Sequence, residues 1–353
     1  MNMSTVNNKL FELLADAKIY GPDDRRMIQQ EKSLVRYLEK EYTSYLNNPI
    51  TMESTGVSTD SGPIMDQTDD LMETHYDETI DLFMGFLDTQ YRAYTMAYFG
   101  EDGDDKISLE QAQTNKFHLI AKRAKIKAGD KILNIGCGFG SLETFLLQEY
   151  PGLQITGITP STVQIKYLRE KMQDSSHPLS NGFTLMEDVF DESITKKLGE
   201  DQFDLVISIG VFEQLLNMRV MLQLISKLLK PGGHTFHHFI TSQVVTPQVK
   251  LAEKTVIGKY FPGGRVWPRD EFSRHTEYLS LVDTWFVNGK NYWNTLEEWH
   301  HRYWKSLPDL YSKDFDIDAI KHWNEYFLLC KAMFAPLDGT FYGNSHYLFK
   351  RES

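Results

Sequence analysis

Glycine recurs at Gly136, Gly138 and Gly140, directly after the run Lys131-Ile132-Leu133-Asn134-Ile135. The spacing G-x-G-x-G lets a chain turn sharply and lets a ligand approach with no Cβ in the way. Ser141 to Leu147 reads as the start of a helix whose free N–H groups face that loop. Strand, glycine loop and helix in this order make the nucleotide-cradling turn of a doubly wound sheet. The spacing differs from the G-x-G-x-x-G of dinucleotide folds. Two further groups could bind or move a proton. Glu213 stands just past the apolar run Phe203 to Ile209, and His238 lies within the run His234 to Ile240. Ligands bind outside strand C-termini in open α/β sheets, so Glu213 is expected to face the reaction zone. Strand residues alternate faces, so His237 and His238 point opposite ways, and His237 is read as structural.

The elements that must hold these groups can be placed in order. Residues 1 to 46 carry apolar residues at helical spacing (Leu10, Leu13, Leu14; Leu34, Tyr37, Leu38), and Asn47 to Asp70 is polar and aperiodic, a loop. Ser108-x-x-Gln111 has the form of a capping box and opens a helix running to about Lys125. Strands are expected at 131–135, 154–157, 183–186, 203–209, 234–240, 278–287 and 345–350. Met221 to Leu229 is read as a helix closed by the turn Lys230-Pro231-Gly232-Gly233. Ile317, Ile320, Trp323, Phe327, Cys330 and Phe334 fall at helical spacing. Three regions follow: an N-terminal helical arm and loop at 1–74, a nucleotide-binding α/β core at 75–240, and a cap carrying the last sheet strands at 241–353.

The glycine loop after I-L-N-I resembles motif I of S-adenosylmethionine (SAM) methyltransferases, with Asn134 where an acid is usual. His75-Tyr76-Asp77, Phe83, Leu87 and Tyr94-Thr95-x-Ala97-Tyr98-Phe99 resemble the entry segment of the cyclopropane fatty acid synthase superfamily, which includes plant coclaurine-type N-methyltransferases. Further likenesses are Gly157-x-Thr159-x-Ser161-x-x-Gln164, Phe212-Glu213, Tyr260-Phe261-Pro262-Gly263-Gly264 and Val287-Asn288-Gly289-x-x-Tyr292. Gly210 and Gln214 depart from the family, which favours Glu and His there.

The resemblance implies a seven-stranded SAM-methyltransferase sheet and SAM-dependent N-methylation of a small aromatic alkylamine, of phenylalkylamine or tetrahydroisoquinoline type, as in plant alkaloid biosynthesis. S-adenosylhomocysteine (SAH) is then the product. It assigns cofactor contacts to Tyr94, Thr95, Gly136, Gly138, Gly140, Thr159, Gln164, Asp188, Val189 and Ile209. It assigns catalysis to Glu213, His238 and Tyr326, and substrate contacts to Tyr98, Phe212, Trp267 and Tyr292. Two other functions stay open. One is a lipid-modifying cyclopropane synthase, against which stands Met96 in place of a bicarbonate-binding cysteine. The other is a SAM-binding protein without turnover, motivated by Asn134, Gly210 and Gln214.

Composition narrows the partners. The chain has 353 residues, 41% of them hydrophobic, and a net charge of −12. Such an acidic chain is a poor match for nucleic acid or an anionic membrane and a better one for a cation. Two cysteines exclude a disulfide framework, no metal-ligand spacing occurs, and no secretory signal or membrane span is read, so a cytosolic location is expected. A homodimer is compatible with the sequence. All six tryptophans lie between Trp267 and Trp323, so the cap is expected to present aromatic walls to a cationic or aromatic substrate.

Overall fold

The computed structural model describes residues 3–65, 80–250, 264–312 and 315–352. His75-Tyr76-Asp77 and Tyr260 to Gly263 lie outside the described residues. At the centre is a sheet of β1 (Lys131–Ile135), β2 (Gln154–Ile158), β3 (Phe183–Met186), β4 (Phe203–Ile209), β5 (Leu229–Ser242), β6 (Trp267–Pro268), β7 (Ser280–Asn288) and β8 (Tyr342–Lys350). The order is β3-β2-β1-β4-β5-β8-β7, with β6 pairing β5 off this path. Strands β1 to β5 run parallel, and β8 is antiparallel to both β5 and β7. The strand order reverses between β1 and β4, which places the crevice for a ligand at their C-terminal ends.

The parallel strands are apolar on both faces because helices cover both. Leu133, Ile135 and Val206 join one core with α9 (Met218–Leu228). Ile132, Leu205 and Ile207 join the other with α6 (Ser141–Glu149) and α7 (Thr162–Gln173). Two differences from expectation concern β5. It begins at Leu229, and its pairing with β4 jumps from Phe203–Leu229 to Leu205–His234. Lys230 to Gly233 therefore bulge out within the strand, helped by the positive φ of Gly232. Its far end gains the two-residue partner β6, an eighth strand beyond the seven expected.

A third core joins α1 (Met3–Asp16), α2 (Arg25–Asn47), α4 (Ile80–Phe86), α11 (Lys290–Leu310) and α12 (Ile317–Phe334). The arm is part of this packing. Tyr42 of α2 stacks on Phe341 and donates to the Met333 carbonyl at 3.4 Å. The loop expected at 47–70 contains α3 (Met52–Thr55), and Met65 bridges to Leu215 beside the exit of β4. The remaining helices are α5 (Leu109–Arg123), α8 (Ile194–Leu198) and α10 (Arg269–Ser273). Ser108 caps α5 as expected, but the Gln111 side chain bonds Asn115 and does not close the box.

Candidate active site

A cavity opens at the C-terminal ends of β1 and β4 and runs under the cap. Gly136, Cys137, Gly138 and Phe139 line its floor. Gly136, Gly138 and Gly140 all have positive φ, a region that favours glycine. A Cβ on Gly138 would meet nothing of the chain within 4 Å, so the space beside it is open to a ligand. A Cβ on Gly136 would strike Val211. Gly140 does not line the cavity; there a Cβ would strike Leu168 and Leu179. The third glycine therefore packs α6 against its neighbours, and the cofactor contact expected of it is replaced by this role.

Asn134, in the position where an acid was expected, donates to Glu143 Oε1 at 2.6 Å. Glu143 is fully buried on α6, and burial pushes its carboxyl up to about 7. The acid has moved from strand to helix. Asn134 Oδ1 and Glu143 Oε2 are left without partners among the described residues.

Along the second strand end, the Thr159 hydroxyl donates to Gln164 Oε1 at 2.7 Å, and Ser161 Oγ accepts the Gln164 N–H at 3.3 Å. Thr159, Gln164, Asp188, Val189 and Ile209 line the cavity, as do Tyr94 and Thr95 across from them. Asp188 Oδ1 accepts the Val189 N–H at 2.9 Å, and Lys197 pairs with the other oxygen.

At the exit of β4, Glu213 Oε1 accepts the Ile240 N–H at 2.8 Å. Its Oε2 is buried and has no partner among the described residues. Burial pushes this carboxyl up to about 7. Tyr326 lines the cavity with its hydroxyl 3.3 Å from that of Tyr94. Tyr292, Phe139 and Phe334 complete an aromatic wall.

His238 is elsewhere. It is 1% exposed, does not line the cavity, and sits between β5 and β8. Arg123 donates from Nη1 to Nδ1 of His346 at 2.8 Å, since a guanidinium can only donate. His346 must then carry its proton on Nε2 and give it to Nδ1 of His238, 2.7 Å away. His238 is left with its proton on Nε2, facing Asn344 at 2.9 Å. Turning the Asn344 amide presents its oxygen there and satisfies the one Asn344 atom otherwise without a partner. Burial drives His238 down to about 3. With both ring nitrogens engaged and no place in the cavity lining, His238 is a structural residue, and the proton-transfer role expected of it is withdrawn. His237 is structural too, held by Ser208 and Thr235 at 2.8 Å each.

Three expected substrate contacts also fall away. Phe212 and Trp267 are fully buried, and the Trp267 indole donates to the Phe212 carbonyl at 3.0 Å. Tyr98 does not line the cavity, so of the four only Tyr292 does. No tryptophan lines it either: Trp299 and Trp323 build the cap core, and tyrosine and phenylalanine make the walls.

Sequence reasoning missed Asp88, Gln113, Lys116 and Arg265. Asp88 is fully buried and accepts the N–H groups of Gln90, Tyr91 and Ala93, which shapes the loop leading to Tyr94. Arg265 lines the cavity, and its N–H donates to the Glu213 carbonyl at 2.6 Å. Among the described residues no cluster of His, Cys, Asp and Glu could hold a metal ion, and no helix is long and apolar enough to cross a membrane.

The chain matches the family described as mycolic acid cyclopropane synthetase over residues 65–339. This chain belongs to that family. Two curated relatives illustrate what the chain is similar to. Cyclopropane-fatty-acyl-phospholipid synthase of Escherichia coli (strain K12) is 30% identical over 68% of this chain, which spans 59% of that protein. (S)-coclaurine N-methyltransferase of Papaver somniferum is 26% identical over 76% of this chain and 78% of that protein. Among solved structures, coclaurine N-methyltransferase bound to N-methylheliamine and SAH matches with a TM-score of 0.72 at 22% identity, covering 99% of this chain and 94% of that one. The mycobacterial cyclopropane synthase of the same fold matches at 0.66 over 81% of this chain and 99% of that one. This chain therefore shares its fold with coclaurine N-methyltransferase and with the cyclopropane synthase.

Proposed function

We propose that the chain is a SAM-dependent N-methyltransferase acting on small aromatic alkylamines. Glu213 carries the reading: a carboxylate oxygen with no partner among the described residues, just past β4, in a cavity walled by Tyr94, Tyr292, Tyr326 and Phe334. Such a wall favours a flat, cationic ligand over a long acyl chain.

SAM fits the glycine-lined end. Open space beside Gly138, the Thr159–Gln164 pair, and Asp188 with Val189 would hold its nucleoside, and Tyr94 and Thr95 its methionine end. When bound there, SAM supplies a sulfonium methyl, an electrophile that needs a lone pair in line with it. An arylalkylammonium has none at neutral pH. Glu213 as carboxylate binds that ammonium and takes its proton, so the neutral amine faces the methyl donor. A carboxyl held near 7 does this over the physiological range, where one at an ordinary ~4.3 would be too weak a base. Gln214 does not titrate, and His238 is out of reach, so the proton work falls to Glu213 alone. Tyr326 and Tyr94 orient the amine, and the aromatic wall excludes water.

The competing reading is a lipid cyclopropane synthase, favoured by the bacterial relative. Against it, Met96 is buried in the core where that branch carries a cysteine. A methyl-transfer screen with radiolabelled SAM decides between them. Methylation of phenylalkylamines or tetrahydroisoquinolines and not of unsaturated phospholipids is expected. Lipid-only transfer would overturn the reading, and SAM binding with no transfer to any acceptor would mark a non-catalytic member.

A further inference from the structure

Helix α5 puts two polar side chains, one turn apart, under the loop that carries Tyr94 and Thr95. Gln113 is fully buried, and its Nε2 donates to the carbonyls of Ala93 at 3.3 Å and Thr95 at 3.0 Å. Lys116 is 1% exposed, and its Nζ donates to the Thr95 hydroxyl at 2.8 Å. The same ammonium lies 4.4 Å over the Phe117 ring. Among the described residues no carboxylate lies within ion-pair distance of it. Asp88 is the charge that acts on it, and its oxygens already accept three backbone N–H groups. A buried ammonium with no anion beside it is costly, and burial has brought Lys116 down to about 7.

The Thr95 hydroxyl is in a complementary state. One of its lone pairs accepts from Lys116, and its hydrogen has no acceptor among the described residues. Thr95 lines the cavity and Lys116 does not. The hydroxyl hydrogen therefore turns toward the cavity, polarised from behind by a positive charge. That arrangement selects an anionic oxygen.

We propose that Lys116 is the positioning residue for the carboxylate of the cofactor's methionine moiety, supplying a counter-charge to it through Thr95. This rests on the reading that SAM occupies the cavity. The residue does not touch the cofactor; it fixes the direction of the Thr95 hydroxyl and places a positive charge one bond behind it. The amino-acid end of SAM is then recognised by charge, the nucleoside end by shape and hydrogen bonds.

The test compares SAH with 5′-methylthioadenosine, which has the nucleoside and thioether but no carboxylate. Calorimetric affinities are measured for the wild type, Lys116→Met and Lys116→Gln. The wild type should prefer SAH over methylthioadenosine by at least ~10-fold. Lys116→Met should lose at least ~10-fold for SAH and leave methylthioadenosine unchanged. Lys116→Gln keeps a donor to Thr95 without the charge; it covers the case in which the methionine variant does not fold, and the same selective loss is expected. Equal weakening of both ligands would show a purely structural lysine. An undiminished SAH preference in the glutamine variant would overturn the counter-charge. A wild type that binds neither nucleoside would instead sink the SAM reading itself.

Discussion

Nε2 of His346 lies 2.7 Å from Nδ1 of His238, and the proton between them belongs to His346. Its direction is set at the far end by Arg123, which has donors only. The chain of bonds runs one way, into the sheet, and leaves His238 neutral.

His238→Ala should therefore act on stability. It strands the His346 N–H and the Asn344 amide, a cost of ~1–3 kcal/mol for each buried group left unpaired. The sign with pH follows from the lowered pKa of about 3. The fold disfavours the charged ring, so the wild-type group costs stability only as pH falls below its unfolded value of ~6.5. Thermal melts should show a lower Tm in the variant at pH 8, with the gap narrowing toward pH 5. The shape of its pH–rate profile should match the wild type; a lost kinetic ionisation would return His238 to catalysis.

Glu213→Gln keeps shape and one acceptor but removes the base. Turnover should fall by ~10²-fold or more, with SAH affinity intact. The wild-type rate should climb through a pH of about 7, and this limb should vanish in the variant. Stability moves the other way. The raised pKa means the fold favours the protonated acid: that contribution is fully present below the ordinary value of 4.5 and is lost as pH rises through about 7. The variant should therefore be the more stable protein at pH 8, by on the order of 1–3 kcal/mol, and gain little at pH 4.5. Calorimetric melts at the two pH values measure it.

Much of the cofactor end was legible because its signals are local. The bounds of β1, β3 and β4 follow from apolar runs cut by glycine or acid, and the loop glycines from their spacing. Glu213 was legible as the acid at a strand end. What the sequence could not carry was which side of a strand faces a cavity and what lies behind it. His238 and Glu213 are both polar residues near strand ends. Only the antiparallel neighbour β8, bringing His346 and Asn344 from more than a hundred residues away, separates scaffold from chemistry. The tryptophans misled for a related reason: a large ring is as useful for filling a core as for lining a wall. Lys116 gave no signal because a lysine on a helix is ordinarily solvated.

Gly138→Val should abolish SAH binding. The residue sits at φ +58, so any side chain costs ~1–2 kcal/mol of backbone strain, and a branched one also fills the ligand's space. Binding calorimetry should show no heat while the circular dichroism spectrum stays folded. Binding within a few-fold of wild type would place the cofactor elsewhere.

Asn134→Asp restores the acid usual at that position, but in this chain it faces Glu143 at 2.6 Å. Two buried carboxyls at that distance cannot readily both ionise, so the pair holds on to at least one proton. Their folded pKa values rise, so stability present in acid is lost as pH climbs. Melting temperatures of variant and wild type should be close at pH 5 and well separated at pH 8. The double change Asn134→Asp with Glu143→Gln should recover most of the loss.

Tyr292→Leu removes an aromatic face from the cavity wall. KM for the amine should rise several-fold, the loss of a cation–π contact of ~1 kcal/mol or more, while SAH affinity holds. An equal loss in both would mean that Tyr292 serves the cofactor.

Residues 265–267 are tied to the turn after β4 that bears the acid. The Arg265 N–H grips the Glu213 carbonyl at 2.6 Å, and the Trp267 indole grips that of Phe212 at 3.0 Å. Trp267 itself is stitched to the tip of β5. The carboxylate and this segment thus form one mechanical part. A substitution that shifts Arg265 or Trp267 should therefore shift the backbone that carries the Glu213 carboxylate. On the proposed function, an acceptor of another size would be met by movement of this segment, with Glu213 re-aimed through its own backbone.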